Sequence, residues 1–304
     1  QAIRNFLKTP DVIGIQEMEN LPTLQALAAR ISSDAIADGQ PDPLYVGYLS
    51  EGNDVGGIDV GFLVKTAEVS AGVSRIVVNS VTQVGKTATY TNPNSSTSLL
   101  NDRPPLVLDA VVHHFTGNSF PLTIIVNHLR SLGGVESTAA GSNGFATEGE
   151  RVRAKRQYQA DYLATLIQTH QSENLVVLGD FNAFAFNDGY GDSIGTIKGV
   201  PSPDNETLVT GDGMSPVTPA LTEIETSDPN ENYSYVFGGN AQTLDHVLVD
   251  SALVTATTSR RLEHARINAD FMSLARNNTD ALRLSDHDPA VLFFSVPAFV
   301  TTPP

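Results

Sequence analysis

Five short segments of this 304-residue chain put carboxylates, amides and imidazoles at the ends of apolar runs. "DVIGIQEMEN" places Glu17 just after one run, "IIVNHLRS" places Asn127 and His128 after another, and "VVLGDFNAF" ends in Asp180 and Asn182. "LRLSDHDPAVLFF" sets Asp286, His287 and Asp288 immediately before a run, and "QTLDHVLVD" sets Asp245 at the start of one. An Asp or Asn beside a strand is ordinarily a turn or cap residue, so no single segment carries a function. Five together describe an oxygen-rich pocket at one end of a sheet. That donor set suits a hard divalent cation such as Mg²⁺, with Mn²⁺ or Ca²⁺ as alternatives. Zinc fits poorly, because the chain has no Cys and no His pair at the close spacing of a helical site.

Such residues need rigid stems. Period-2 apolar patterns predict strands over 12–16, 44–49, 58–65, 73–79, 105–115, 121–128, 174–180, 233–237, 244–250 and 289–296. Helices fit 1–8, 21–31 and 148–170. The last opens with Thr147 and Glu150 in a capping-box pattern and carries Tyr158, Tyr162, Leu163 and Leu166 on one stripe. Residues 85–104, 133–146 and 187–230 read as long loops, which in a compact domain are functional or mobile. Strands arriving in pairs, with helices between the pairs, predict an α/β sandwich of two mixed, mostly antiparallel sheets packed face to face with helices outside. No break in composition divides residues 1–304, so a single domain is expected.

Composition narrows the partners. A chain that is 40% hydrophobic and 17% charged has the means to build a core. No apolar run approaches the roughly 20 residues of a membrane-spanning helix, and residues 1–15 lack the pattern of a signal peptide. The absence of Cys excludes disulfides, thiolate metal sites and Cys nucleophiles. A formal net charge of −16 repels a polyanion unless basic patches or bound cations compensate. The most basic segment, "ERVRAKRQ" from Glu150 onward, reads as a solvated helix face. Its alternative is that Arg151 or Arg153 reaches a substrate phosphate beside His128, since cations near a helix N-terminus invite an anion. His113 and His114 read as structural, and His246 points to the face opposite Asp245. Asp59 is ambiguous, Asp288 caps the turn before Pro289, and Phe181, Phe184, Phe186 and Tyr190 are candidates for a stacking cluster near the site.

In their order, "IQEMEN", "NHLRS", "GDFNAF", "LDHVLVD" and "SDHDPA" resemble the motifs of the endonuclease/exonuclease/phosphatase superfamily, the deoxyribonuclease I-like proteins. The resemblance runs from residue 12 to residue 295 and is most specific where "GDFNA" and "SDHDP" occur together. It implies a four-layered α/β-sandwich and a divalent-metal-dependent phosphoesterase. Residue by residue, it implies metal ligation by Glu17 and Asp286, and a scissile-phosphate pair in Asp180, which orients or deprotonates water, and Asn182, which binds a phosphoryl oxygen. It also implies a His287–Asp245 pair, a second phosphate-contacting histidine in His128, and a phosphate-facing Arg103. The family ordinarily opens with a strand whose Asn helps hold the metal. No such strand precedes "QAIRNFLKTPD", as a chain continuing upstream of Gln1 would show.

The variants of these motifs, with the Ser/Gly-rich insert after "NHLRS", look most like secreted bacterial nuclease-like members. The expected activity is therefore an extracellular or periplasmic nuclease cleaving DNA or RNA, with cations bridging acidic protein to nucleic acid. The alternatives on this scaffold are a phosphomonoesterase or a lipid phosphodiesterase of the inositol phosphatase or sphingomyelinase type. A catalytically idle binding module is a third reading, against which Glu17 and His287 both stand.

Overall fold

The computed structural model describes residues 1–211, 213–276 and 280–296; the last eight residues of the expected domain lie outside them. Eleven strands position the site. They are β1 (Val12–Met18), β2 (Tyr45–Leu49), β3 (Asp59–Lys65), β4 (Ile76–Gln83), β5 (Leu106–His113), β6 (Ser119–His128), β7 (Leu175–Asp180), β8 (Thr222–Glu223), β9 (Asp245–Val249), β10 (Ser259–His264) and β11 (Ala290–Ser295). The helices are α1 (Leu21–Ala37), α2 (Glu148–Thr169), α3 (Ser193–Lys198) and α4 (Ser251–Ala256).

Two sheets form the centre. One has the order β1-β3-β2, all antiparallel; the other has the order β8-β9-β7-β6-β5-β4, in which only β6 and β7 run parallel. Alternation along β7 shows how both faces are buried. Leu175 and Val177 face a layer with Leu163 and Ile167 of α2 and Ile194 and Ile197 of α3. Val176 and Leu178 face the other sheet, beside Val60, Phe62 and Val64 of β3. On the outside of the smaller sheet, Leu24, Ala28 and Ile31 of α1 pack on Tyr45, Leu49 and Leu63. The stack is helix, sheet, sheet, helix, the four-layered sandwich that the motifs implied. Where the sheets meet, a Cβ on Gly14 would lie 2.3 Å from Leu178 Cδ1, so glycine sets the close approach.

Several local expectations change. The helix expected over 1–8 is one π-type turn, Ala2–Phe6. Lys8 and Thr9 then adopt left-handed backbones ahead of Pro10, which stops it. α1 runs to Ala37, past 31, because Ala35 still reaches the core. The capping box of α2 forms as read, with Glu150 N–H on Thr147 Oγ1 at 3.1 Å. Leu163 and Leu166 of the expected stripe are buried, joined by Val152, Ala160, Ala164 and Ile167, whereas Tyr158 is 39% exposed. β10 was not expected; it pairs with β11, and Phe294 reaches Phe120 at 6.1 Å between ring centroids, joining this ribbon to the core. The loop expected over 85–104 contains a hairpin, Thr89–Thr91 with Thr97–Leu99.

Two features of the main sheet yield predictions. Gly179, before Asp180, has φ 137, and a Cβ there would meet Asn127 O at 2.0 Å. Gly179→Ala should cost at least about 2 kcal/mol of stability, read as a lower urea midpoint with unchanged m-value. Glu223 on β8 is gripped by Lys198 Nζ and His246 Nδ1, each at 2.6 Å. Burial works against its carboxylate, but the contacts from His246 and Lys198 outweigh it and hold its pKa at about 2. A depressed carboxyl contributes its stability above the unfolded value of 4.5 and loses it as pH falls toward about 2. The Tm gap between wild type and Glu223→Gln should therefore close as pH falls from 4.5 toward 2.

Candidate active site

The site grows from strand register. His128, Asp180 and Asp245 are Cα partners across β6, β7 and β9, at one end of the main sheet. Their parity is that of Ile124 and Val126, of Val176 and of Val247, whose side chains all face the smaller sheet. The three polar residues thus form one row beyond the core on that face. His128 Nε2 lies 3.4 Å from Asp180 Oδ2. His287, delivered by the turn before β11, completes the row with Nδ1 2.6 Å from Asp245 Oδ2. A ligand atom from each of Asp180, Asp245 and His287 falls within 4.8 Å of the others. The GDFN segment leaves β7 through Gly179 and enters a left-handed turn at Asn182, φ 48.

Burial tunes each group differently. Desolvation and then the neighbouring charge of Asp245 push Asp180 up to about 7, against the pull of His287 and Arg103. Burial also disfavours a charged His287, but the bond and charge of Asp245, joined by Asp180 and Asp286, hold it up at about 9. His128 is pushed down to about 3 by burial and by the cations Arg103 and His287, so it is neutral at physiological pH. The row therefore contains a neutral imidazole, a carboxyl poised near neutrality and an imidazolium, a set able to hold and move protons at pH 7.

Other predicted residues take different places. Asn182 uses its amide hydrogens on Leu129 O at 3.0 Å and Asp180 Oδ2 at 2.9 Å, and its backbone N–H reaches Asp180 Oδ1 at 2.7 Å. It orients Asp180 here and does not present that amide outward, because both carbonyl and carboxylate are buried beside it. Arg103 donates to His128 O at 3.3 Å and Leu129 O at 2.9 Å and pairs with Asp54 at 3.5 Å, so it braces the backbone under His128. Arg151 is removed from the site: Glu148, one turn back on α2, takes its guanidinium at 2.5 and 2.7 Å. Arg153 bonds Val135 O at 2.5 Å. The basic segment is not a solvated face either, since Lys155 and Arg156 are buried, on Asp102 Oδ1 at 2.8 Å and Arg130 O at 2.6 Å.

Glu17 sits where the β1–β3 register shifts, with φ 56 and an exposed side chain. A bulge re-aims a side chain. Asp286 is exposed as well. Neither belongs to the tight cluster of Asp180, Asp245 and His287, and neither carboxylate has a hydrogen bond or ion pair among the described residues. His246 is buried on Glu223 and Ala183 O as packing, as its strand parity implied. Asp59 is buried, accepts from Gly52 N–H at 2.8 Å and is pushed up to about 6 by that burial. The aromatic set divides. Phe181 lies in the core, Tyr190 bonds Glu136, and Phe184 stacks on Phe186 at 5.3 Å, with Phe186 67% exposed.

Sequence reasoning missed Tyr235, whose ring lies 4.7 Å from that of His287 and stacks on Phe237 at 6.4 Å. "YSYVF" signals a strand, and nothing in its spacing announces contact with a histidine 52 residues on. It also missed the depth of Asp288, which accepts from three backbone amides instead of capping one turn.

A comparison with curated protein sequences gives no match. Among solved structures, the chain is similar to beta toxin 275-280 from Staphylococcus aureus, with TM-score 0.55 and 12% identity over 95% of this chain and 88% of that one. It is also similar to SmcL, with TM-score 0.51 and 14% identity over 96% and 88%. ANGEL2, described as a 2',3'-cyclic phosphatase, gives 0.50 and 13% over 95% and 82%. These likenesses concern the fold. The model of the endonuclease/exonuclease/phosphatase family matches residues 1–287, spanning every element of the row, and the chain belongs to that family.

Proposed function

We propose that this chain is a divalent-metal-dependent phosphodiester hydrolase acting on DNA or RNA. The observation that carries the reading is the cross-strand row His128–Asp180–Asp245 closed by His287 at 2.6 Å. Phosphodiester hydrolysis gathers negative charge on the phosphoryl oxygens and needs a water held in line. Asp180, near neutrality and fixed by Asn182, is the group that accepts the water's proton. His287, an imidazolium whose ring is oriented through Nδ1 by Asp245, directs its remaining N–H to the charge that develops or to the departing oxygen. His128 offers a neutral ring beside Asp180, and Arg103 holds the backbone that carries it.

The donor chemistry fits a hard cation. Two carboxylates crowd together in the row, and the free carboxylates of Glu17 and Asp286 would hold the ion, with Mg²⁺ the expected metal. When bound, it supplies Lewis-acid stabilisation of the phosphoryl oxygens. His287 is a poor ligand, because its Nδ1 is committed to Asp245 and its ring is cationic.

Nucleic acid is favoured among phosphoesters by exposed ring faces on the segment that follows Asn182 and beside His287. Phe186 is exposed on its stack with Phe184, and Phe237 is 63% exposed on Tyr235, which covers His287. Aromatic faces of this kind take unpaired bases at about 1–3 kcal/mol each. Resemblance to secreted bacterial nuclease-like members supports an extracellular or periplasmic location. Immunodetection in the medium or periplasmic fraction checks it, and confinement to the cytosol would overturn it.

The test of activity is nicking of supercoiled plasmid and cleavage of an RNA oligonucleotide with Mg²⁺, Mn²⁺ or EDTA. Metal-dependent cleavage is expected, abolished by EDTA and reduced about 10²–10⁴-fold in kcat by His287→Ala. Asp245→Asn, which leaves the shape but removes the charge holding the imidazolium, should lower kcat by a smaller factor. Cleavage that survives in His287→Ala would sink the assignment. Hydrolysis of inositol phosphates or phospholipid head groups in place of nucleic acid would move the substrate to another class on the same site.

A further inference from the structure

The turn that presents His287 is held by side chains from elsewhere in the chain. Residues 284–288 belong to no helix or strand, so ladder hydrogen bonds do not fix them. Asn268 supplies the substitute. Its side chain is buried; Nδ2 donates to His287 O at 2.7 Å, and Oδ1 accepts from Leu284 N–H at 3.0 Å and Ser285 N–H at 3.5 Å. The clasp is reciprocal. Asp288, 1% exposed, accepts from the backbone N–H groups of Ile267 at 2.8 Å, Asn268 at 2.7 Å and Ala269 at 3.2 Å.

The same frame reaches the partner of His287. Ser234, fully buried, accepts Asp288 N–H on its carbonyl at 2.7 Å. Its Oγ accepts the backbone N–H of Asp245 at 3.2 Å and of Leu244 at 3.4 Å. Both ends of the 2.6 Å contact between His287 Nδ1 and Asp245 Oδ2 are therefore tied, within one or two bonds, to Asn268, Asp288 and Ser234.

We infer that Asn268 and Ser234 are positioning residues of this enzyme: they fix the Ser285–Asp288 turn against the start of β9 so that His287 Nδ1 meets Asp245. Neither touches substrate. The inference rests on the functional reading above for its kinetic consequence, though not for its geometry. A buried amide with each of its polar atoms engaged by the same short turn specifies that turn's shape. A shift of about 1 Å in a reacting group can cost on the order of 100-fold in rate.

Three variants test it: Asn268→Ala, Ser234→Ala and, as a control, Leu262→Ala, which loosens the core under β10 without touching the turn. Each is read by kcat and KM on a metal-dependent phosphodiester substrate. Each is also read by the Nδ1–H proton resonance of His287 in metal-free protein labelled with ¹⁵N-histidine. Asn268→Ala should lower kcat about 10- to 100-fold, leave KM within about twofold, and shift or abolish the Nδ1–H resonance. Leu262→Ala should lower Tm while its folded fraction keeps both kcat and resonance. Ser234→Ala, which retains the carbonyl that holds Asp288, should give a smaller change of the same kind and serves if Asn268→Ala does not fold. Unchanged kcat and resonance in the folded variants, or the same kinetic loss in Leu262→Ala, would overturn the inference. A resonance that responds in a protein that cleaves no phosphodiester leaves the positioning intact and removes the functional reading.

Discussion

Everything at the site depends on strand register across β6, β7 and β9. A slip of one residue would turn His128, Asp180 or Asp245 to the opposite layer and dissolve the row, because side chains alternate with period 2. The register is secure because both faces of these strands are buried, Val177 and Ile125 against α2 and Val176 and Val126 against the smaller sheet. A slip would not expose a few apolar groups; it would exchange two cores. Gly179, alone in its left-handed backbone at the end of β7, then lets Asp180 complete the row without pressing on Asn127.

Given that row, low dielectric does the rest. The same burial pushes a carboxyl up and an imidazole down, which is why Asp180 and His128 move in opposite directions. His287 escapes the downward push through Asp245. The chain is acidic overall, yet two cations sit close to the row: Arg103 donates to His128 O, and the buried Arg156 donates to Arg130 O two residues further on. Both brace backbone carbonyls, so this local positive charge is held in place by the fold, which favours preorganised stabilisation of an anion.

The readable and unreadable parts of the sequence divide along a physical line. β6, β7 and β9 were legible because buried strands of five to ten residues end in abrupt polarity. β10 was not, because "SRRLEH" puts only Leu262 into the core and reads as polar. On α2 the leucines of the expected stripe, Leu163 and Leu166, are buried, but Tyr158 and Tyr162 lie partly outside, because the close packing is made by alanines that carry little signal in the sequence. Arg151 was misplaced for a related reason: its pairing with Glu148, three residues away, competes with any distant anion and cannot be weighed without the helix geometry. Asn182 was expected to meet phosphate, but the left-handed turn folds its amide back onto Asp180 and Leu129.

By itself, then, the sequence determined the family's motifs, the stems that carry them and the oxygen-rich chemistry at their ends, because residue type and short-range periodicity are local properties. Only the tertiary structure decided which of those groups act as a unit. Asp245 and His287 are 42 residues apart and meet at 2.6 Å because a frame built from residues 234, 268 and 288 holds both. Charge state was likewise a tertiary outcome. The same two residue types, Asp and His, are set near 7 and 3 in one pair and near 9 in the other by burial and by neighbours that no linear spacing records.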